Sequence, residues 1–309
     1  MKIIAIDIGG TKIASALVTL AEGVPSIEYQ ENIPTEAKAG GAHVLERVIA
    51  AAKRVQALAP DAEGIGVSTA GVVDPRNGDI VYANEIMPGW CGTHLGAELA
   101  DACGLRVGVL NDVHAHALGE ARHGAGRNAA SCLCVAVGTG MSGAFVDHGF
   151  ILLGAHGVAG HIGHVGCTLA AGLPCTCGAT GHVETVAAGP AIAAEYIRLG
   201  GDSEDGAEIN RRALAGDEAA IAAQARAGLA LGEVLGSMAN TFDPEAIILS
   251  GSVANCGHHW SDALRTAYAA LAMKPVAETP ILSGELGGDA PLIGAAEHFK
   301  APAYRELLA

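Results

Sequence analysis

Short apolar runs, each broken by glycine, set the rhythm of this chain. Residues 2–8, KIIAIDI, are rich in β-branched side chains and end at Gly9-Gly10, which predicts a buried strand and a tight turn. TKIASALVT returns as a second strand and PSIEYQENIPT as a third. Over residues 41–58 the period changes: Val44, Val48, Ala51, Val55 and Leu58 fall on one face of a helix. EGIGVSTAGVVD reads as strand then loop, NGDIVYAN as turn and strand, and GTHLGAELADACG as a helix ending at Gly104. RVGVLND is a strand ending in Asn111-Asp112, and VHAHALGEARHG is helical.

The pattern then restarts. SCLCVAVGTGMSGAFVDHGFIL repeats the strand, two-glycine turn and apolar return of KIIAIDIGGTKIASALV, a weak internal repeat that fits a fold of two similar halves. Asp7 has no acidic counterpart just before Gly138, so the halves differ in their work. Ala-rich helices follow over about 187–199, 206–215 and 217–241. AIILSGSVAN is a strand, a glycine turn and a helix start, and PILSGELGGDAPLIGAAEHF closes with strand, loop and terminal helix. Strands alternate with helices, so the class is α/β.

Composition narrows the function. The 309 residues leave room for two domains, half are hydrophobic, and 43 are glycine. A formal net charge of −15 argues against nonspecific binding to nucleic acid or to an anionic membrane. Any bound phosphate must then be held by backbone N–H groups, a metal ion or single cations. Asp7 and Lys12 interrupt the N-terminal apolar run, which therefore does not read as a signal peptide. No apolar run reaches the roughly 18 residues of a membrane span. We expect a cytoplasmic protein. Cys132 and Cys134 lie on one side of a strand, Cys91, Cys103 and Cys256 are scattered, and only Cys167, Cys175 and Cys177 cluster.

GTGMSG, Gly138–Gly143, formally matches the dinucleotide fingerprint G-x-G-x-x-G, but a strand follows it where the fingerprint needs a helix. A protein-kinase glycine loop does sit between strands, yet no H-R-D or D-F-G follows. GGTK lacks Walker A spacing. Two hairpins with Gly-rich turns remain, and successive N–H groups in such turns make anion-binding nests. Asp7 at the mouth of the first turn would repel phosphates unless a cation lies between, and Mg2+, usually through water, supplies it. Taken singly each loop is an ordinary turn; both together with Asp7 point to phosphate binding.

AIDIGGTK, GVSTAGVVD, LNDVHAHALGE, VAVGTGMSGAFV, GHIGH and CTCGATGHVE occur in the order seen in the ROK family of bacterial sugar kinases, and the resemblance covers essentially the whole chain. It implies the actin-like ATPase (ribonuclease H-like) fold, with two α/β domains flanking a cleft. The expected domains are residues 1–115 joined by the C-terminal helix 291–309, and a larger domain over 116–290 carrying the zinc motif. It also implies ATP-dependent phosphorylation of a hexose 6-hydroxyl, with Asp112 as general base. An Asp at a strand end suits that role, since a hydroxyl is a weak nucleophile. By residues alone Asp112 reads better as the N-cap of the next helix. The same resemblance assigns Gly71, Asn84, Asn111 and Glu184 to the sugar, and Gly9, Gly10, Thr11, Lys12, Gly138, Thr139, Gly140 and Gly251 to ATP-binding turns, with Asp7 beside them.

Residues 160–184, GHIGHVGCTLAAGLPCTCGATGHVE, hold three histidines, three cysteines and a glutamate. The family's zinc pattern is a histidine in the G-H segment followed by C-x-C-G-x-x-G-C. His164, Cys175 and Cys177 match it, and His182 stands in the last position. A Cys2His2 zinc site is chemically sound, with Cys167 as an alternative donor. Four protein ligands make the role structural, although the family's zinc-bound histidine, here His164, also contacts substrate. GHIGH, with His161 where family glucokinases usually have Glu, resembles N-acetylmannosamine kinases of sialic-acid breakdown. NEIMPGW pulls toward glucokinase, so glucose and N-acetylglucosamine stay alternatives to N-acetylmannosamine. Some ROK proteins are repressors with an N-terminal helix-turn-helix. Here the first core strand starts at Lys2, and the net charge also argues against a DNA-binding module. A non-catalytic sugar sensor is the other rival, opposed by Asp7 and Asp112. The partners expected are a small sugar and ATP, with no nucleic acid or membrane; a homodimer is the family's habit.

Overall fold

The computed structural model describes residues 1–21, 23–83 and 85–300. Its contacts divide the chain into two units: Met1–Asn128 with Val146–Ala159 and the segment from Glu285 onward, and Ala129–Phe145 with Gly160–Gly284. The boundary expected at 115/116 falls inside a helix, Asp112–His123, which packs along its length on the C-terminal helix; the first unit therefore continues to Asn128. That unit also takes residues 146–159, and it, not the second, holds more of the chain.

In the first unit, strands β1 (Lys2–Ile8), β2 (Lys12–Thr19), β3 (Ser26–Pro34), β4 (Gly64–Thr69) and, beyond the short hairpin β5 (Val72–Val73) and β6 (Ile80–Tyr82), β7 (Val107–Asn111) form a sheet in the order β3-β2-β1-β4-β7. The β1, β2 and β3 neighbours are antiparallel; β1, β4 and β7 run parallel. Alternation along β1 splits its side chains. Ile4, Ile6 and Ile8 join one core with helices α1 (Gly41–Leu58) and α2 (Leu95–Cys103), while Ile3 and Ala5 join the other. Asp7 continues the second set by period. Helix α3 (Asp112–His123) and the final helix cover that side, the latter through Leu292, Ala296 and Phe299. Helix α1 spans the residues its apolar period predicted, and Gly104 ends α2 with φ 67°.

In the second unit, β8 (Ser131–Val137), β9 (Met141–Asp147), β11 (Ala246–Ser250) and β12 (Ile281–Ser283) are neighbours in the order β9-β8-β11-β12, with β8, β11 and β12 parallel. The end of β9 continues into the first unit's second segment, where Val146 and Asp147 pair with Ile151 and Phe150 of β10 (Phe150–Ile151). Glycine-turned neighbours followed by parallel strands recur in both sheets, so the weak repeat in the sequence is a real repeat of topology. The helix expected over about 187–199 is α5 (Gly189–Arg198), begun with Pro190 in its first turn, and the single turn α4 (Glu184–Ala187) precedes it. Helices α6 (Gly206–Leu214) and α7 (Glu218–Phe242) follow as expected.

Helix α8 (His258–Leu271) went unread in the sequence, although Trp260, Leu264 and Tyr268 recur every four residues and are its buried side chains. It lies against α7 unusually closely. A Cβ at Gly228 or Gly232 would overlap the α8 carbonyls of Trp260 or Leu264, and one at Gly236 would sit 3.0 Å from that of Tyr268. The chain closes with α9 (Ala290–Lys300), in the first unit. No helix among the described residues is long and apolar enough to cross a membrane.

Candidate active site

The parallel strands of the first unit end together at their carboxyl ends, where open α/β sheets characteristically bind ligands. Register places Asp7 of β1 beside Ser68 of β4, and Thr69 beside Asn111 of β7. The Ser68 hydroxyl donates to Asp7 Oδ1 at 2.6 Å. Asn111 is the N-cap of α3: its Oδ1 accepts from Val113 N at 3.0 Å and His114 N at 3.4 Å. Its Nδ2 donates to Gly71 O and to Asp112 Oδ1, both at 2.9 Å. Both donors and both acceptor positions of this amide are engaged. Asn111 thus takes the capping role, and Asp112 is left as the first residue of the helix, its Oδ1 also accepting from Val113 N at 2.9 Å.

Burial pushes the Asp112 carboxyl up to about 6, and the like charge of Asp7 adds to the rise; the Val113 and Asn111 hydrogen bonds oppose it. Asp7 is also raised by burial, against the pull of Ser68 and Lys12. Two half-buried carboxylates, the charge of Asp7 hindering the ionisation of Asp112, are a hard oxygen set, and their chemistry fits a divalent cation such as Mg2+. The adjacent turn is pinned by Gly9 N donating to Lys12 O at 3.0 Å and by the Thr35 hydroxyl donating to Gly9 O at 2.7 Å. Thr35 N donates to Thr11 O at 3.0 Å. Trp90 is fully buried, its Nε1 3.3 Å from Thr69 Oγ1 and from Ala70 O, so it props the strand end from below. Asn84, an expected sugar contact, lies outside the described residues.

The second unit carries the other expected residues. Gly138, Thr139 and Gly140 form the turn between β8 and β9, closed by Gly138 N donating to Gly140 O at 2.9 Å. Gly189 N, at the start of α5, donates to Gly138 O at 2.8 Å. Gly251 follows β11 with φ 92°, and a Cβ there would overlap the Val137 backbone, so only glycine fits. Glu184 Oε2 accepts from Met141 N at 3.1 Å, which ties the end of the His/Cys loop to the same turn. His161 precedes the single turn Ile162–His164.

His164, Cys175, Cys177 and His182 each bring one donor atom to a common point, all within 4.8 Å of one another. Cys175 Sγ lies 3.6 Å from His164 Nδ1 and Cys177 Sγ 3.3 Å from His182 Nδ1. The loop is shaped by backbone bonds from Cys175 N to Ala179 O, 2.8 Å, and from Cys167 N to Gly181 O, 3.0 Å. Two thiolates and two imidazoles at this spacing fit zinc. The alternative donor Cys167 is turned away: its Sγ is 3.6 Å from Glu233 Oε2 and 3.8 Å from Ala230 O.

Sequence reasoning missed a cavity of about 1050 Å³ in the second unit. Its wall includes Gly138 and Thr139, the apolar Ile192 and Ile197 of α5, Val253, and Asn210 of α6. No local motif announces it, because its residues come from well-separated stretches of chain.

The ROK family model matches residues 3–301. The glucokinase of Halalkalibacterium halodurans is 32% identical over 94% of this chain and 92% of its own length. The N-acetylmannosamine kinase of Haemophilus influenzae (strain PittEE) is 31% identical over 96% and 94%. Among solved structures, the ROK hexokinase of Thermus thermophilus is 33% identical with TM-score 0.86, covering 100% of this chain and 99% of that one. A ROK glucokinase from Streptomyces griseus in complex with glucose and AMPPNP is 29% identical with TM-score 0.78, covering 96% and 98%. The architecture is that of the actin-like ATPases, as the sequence resemblance implied.

Proposed function

This chain belongs to the ROK family, and from that premise we propose that it is an ATP-dependent kinase acting on the 6-hydroxyl of N-acetylmannosamine. That it is a ROK sugar kinase follows from its kinase relatives; the sugar and the position are our reading. The observation that carries the chemistry is Asp112, a carboxylate raised to about 6 at the end of a parallel strand and braced by Asn111. A base near the working pH takes a proton most effectively as the hydroxyl attacks. Phosphoryl transfer needs little covalent help, so positioning and charge stabilisation do the rest.

In this reading Asn111 acts chiefly as a brace, because its hydrogen-bonding capacity is spent on Gly71, Asp112 and the start of α3. Gly71, Asn84, His161, His164 and Glu184 are the residues assigned to the sugar. The Gly9–Lys12 and Gly138–Gly140 turns, with Gly251, receive the phosphates, and the 1050 Å³ cavity beside Gly138 receives the nucleoside. Mg2+ held through water by Asp7 would neutralise phosphate charge. Zinc held by His164, Cys175, Cys177 and His182 would fix the loop carrying Glu184, with no activated water, since all four positions are protein ligands. ATP as donor suits the cytoplasmic location expected, and a homodimer remains the working assembly in this reading.

The sugar choice rests on His161, where an imidazole replaces the carboxylate usual in family glucokinases. Identities of 32% and 31% to a glucokinase and an N-acetylmannosamine kinase do not separate the two. The test is ADP release with Mg-ATP and equal concentrations of N-acetylmannosamine, N-acetylglucosamine and glucose. Preference for N-acetylmannosamine supports the assignment. Preference for glucose discards it and leaves the kinase intact, while no turnover with any of the three favours the non-catalytic sensor.

A further inference from the structure

The start of helix α3 holds two main-chain carbonyls through side chains. Asn111, its cap, donates to Gly71 O at 2.9 Å. His114, one turn on, is buried, and its Nε2 lies 2.8 Å from Ala159 O. A carbonyl oxygen only accepts, so Nε2 carries the ring proton and donates it. Enclosure of His114 makes this bond costly to break, because the N–H would lose its partner inside the protein.

Ala159 ends a short segment folded onto the first unit. Ala159 N donates to Leu153 O at 3.1 Å, which closes residues 153–159 on themselves. Gly154 and Gly157 turn the chain with φ 75° and 70°. Gly157 is buried, and a Cβ there would stand 2.5 Å from Val73 O. The segment therefore lies directly on β5, the strand that begins just after Gly71. Leu153 and Gly157 share a space of only about 10 Å³ with Val73, Val109, Asn111 and His114, too little for a further side chain. The fit is close, and His114 fixes it from α3.

The two carbonyls stand next to residues assigned to the sugar above. Gly71 is itself one of them, and His161 follows two residues after Ala159. Two residues span at most about 7 Å of extended chain, so the place where Ala159 is held limits where His161 can stand. We propose that His114 is a positioning residue for sugar recognition. Through Ala159 O it sets the segment that packs beside Gly71 and leads into His161, and so sets the affinity for the sugar and the choice among sugars. The inference rests on the sugar-kinase reading and adds to it a residue that acts through the main chain.

The test is steady-state kinetics of the full-length enzyme with Mg-ATP and N-acetylmannosamine, N-acetylglucosamine or glucose. His114→Leu keeps apolar bulk and removes the donor, whereas His114→Gln carries an amide N–H2 to about the place of the ring Nε2. His114→Leu should raise the KM of the parent's preferred sugar about tenfold and bring the kcat/KM ratios among the three sugars toward one, with the KM for ATP unchanged. His114→Gln should recover most of both. Gly157→Ala keeps His114 but pushes the segment off Val73 O, and should reproduce the loss, which keeps the test open if His114→Leu does not fold. A merely structural histidine would lower the urea midpoint and leave sugar KM and ratios parental. That result in His114→Leu or Gly157→Ala overturns the proposal, as does an equal rise in the KM for ATP or a His114→Gln no better than His114→Leu. Should the parent phosphorylate no sugar, calorimetric titration with the same three sugars reads affinity instead. Parental affinity in the variants then overturns the inference on its own. Tenfold weaker binding without turnover overturns only the kinase reading, and a parent that binds none of the three overturns both.

Discussion

Asp112→Asn should cut turnover steeply and yet stabilise the protein. The carboxyl is lifted from the usual 3.8 to about 6, first by burial and then by the charge of Asp7. Two units correspond to about 3 kcal/mol between protonated and ionised forms. The sign follows from linkage. Between about pH 4 and 6 the folded chain holds this proton more tightly than the unfolded chain. Ionisation therefore costs stability in full above pH 6 and nothing below pH 4. An asparagine keeps an oxygen to accept from Val113 N and Asn111 Nδ2 but carries no charge. Relative to the parent, Asp112→Asn should gain up to about 3 kcal/mol at pH 8, and the gain should shrink as pH falls to 4. Urea unfolding at both pH values, without added metal, measures it. Loss of a general base should lower kcat by about 10²–10⁴, with the sugar KM little changed. A variant less stable than its parent at pH 8, or one that keeps parental turnover, would refute the reasoning.

Four further outcomes follow from other parts of the molecule. Asp7→Asn removes the like charge facing Asp112, so the acid limb of the pH profile of residual kcat/KM should move to lower pH; an unmoved limb would deny the coupling. The purified protein should carry about one zinc per chain by elemental analysis. His182→Ala should lose the metal and Cys167→Ser should keep it, because Cys167 faces Glu233 and Ala230; the opposite pattern would exchange the donors. Gly232→Ala puts a Cβ against the Leu264 carbonyl and 2.9 Å from Ala267 Cβ, and should destabilise by about 2 kcal/mol in urea unfolding. His298 is half-buried and its imidazole is depressed to about 4, by burial first and His114 second. The unfolded chain takes up this proton from about pH 6.5, so stability should drain away as pH falls from there toward 4; His298→Gln should flatten that slope.

Much of the architecture could be read directly from the chain, because its signals are local. The apolar period of residues 41–58 marked α1 to its ends, and the β-branched run before Gly9-Gly10 marked β1 and its turn. The ordered motifs carried the family and brought Asp112 into view, since residue order survives in a linear string. What the string left open is long-range. Local capping rules suggested Asp112 as the helix cap; the tertiary contact between Asn111 and Gly71 places Asn111 there and leaves Asp112 with the spare carboxylate. The raised pKa of Asp112 depends on burial and on Asp7, a residue over a hundred positions away brought near by the β1-β4-β7 register. Donor spacing allowed either His182 or Cys167 beside the other three donors, and the folded loop brings His182 to them while Cys167 turns onto α7. The cavity of the second unit had no sequence signature at all. Asn210, Gln224 and Gly257 mean nothing apart, and only packing α6 against α7 and the start of α8 joins them in its wall.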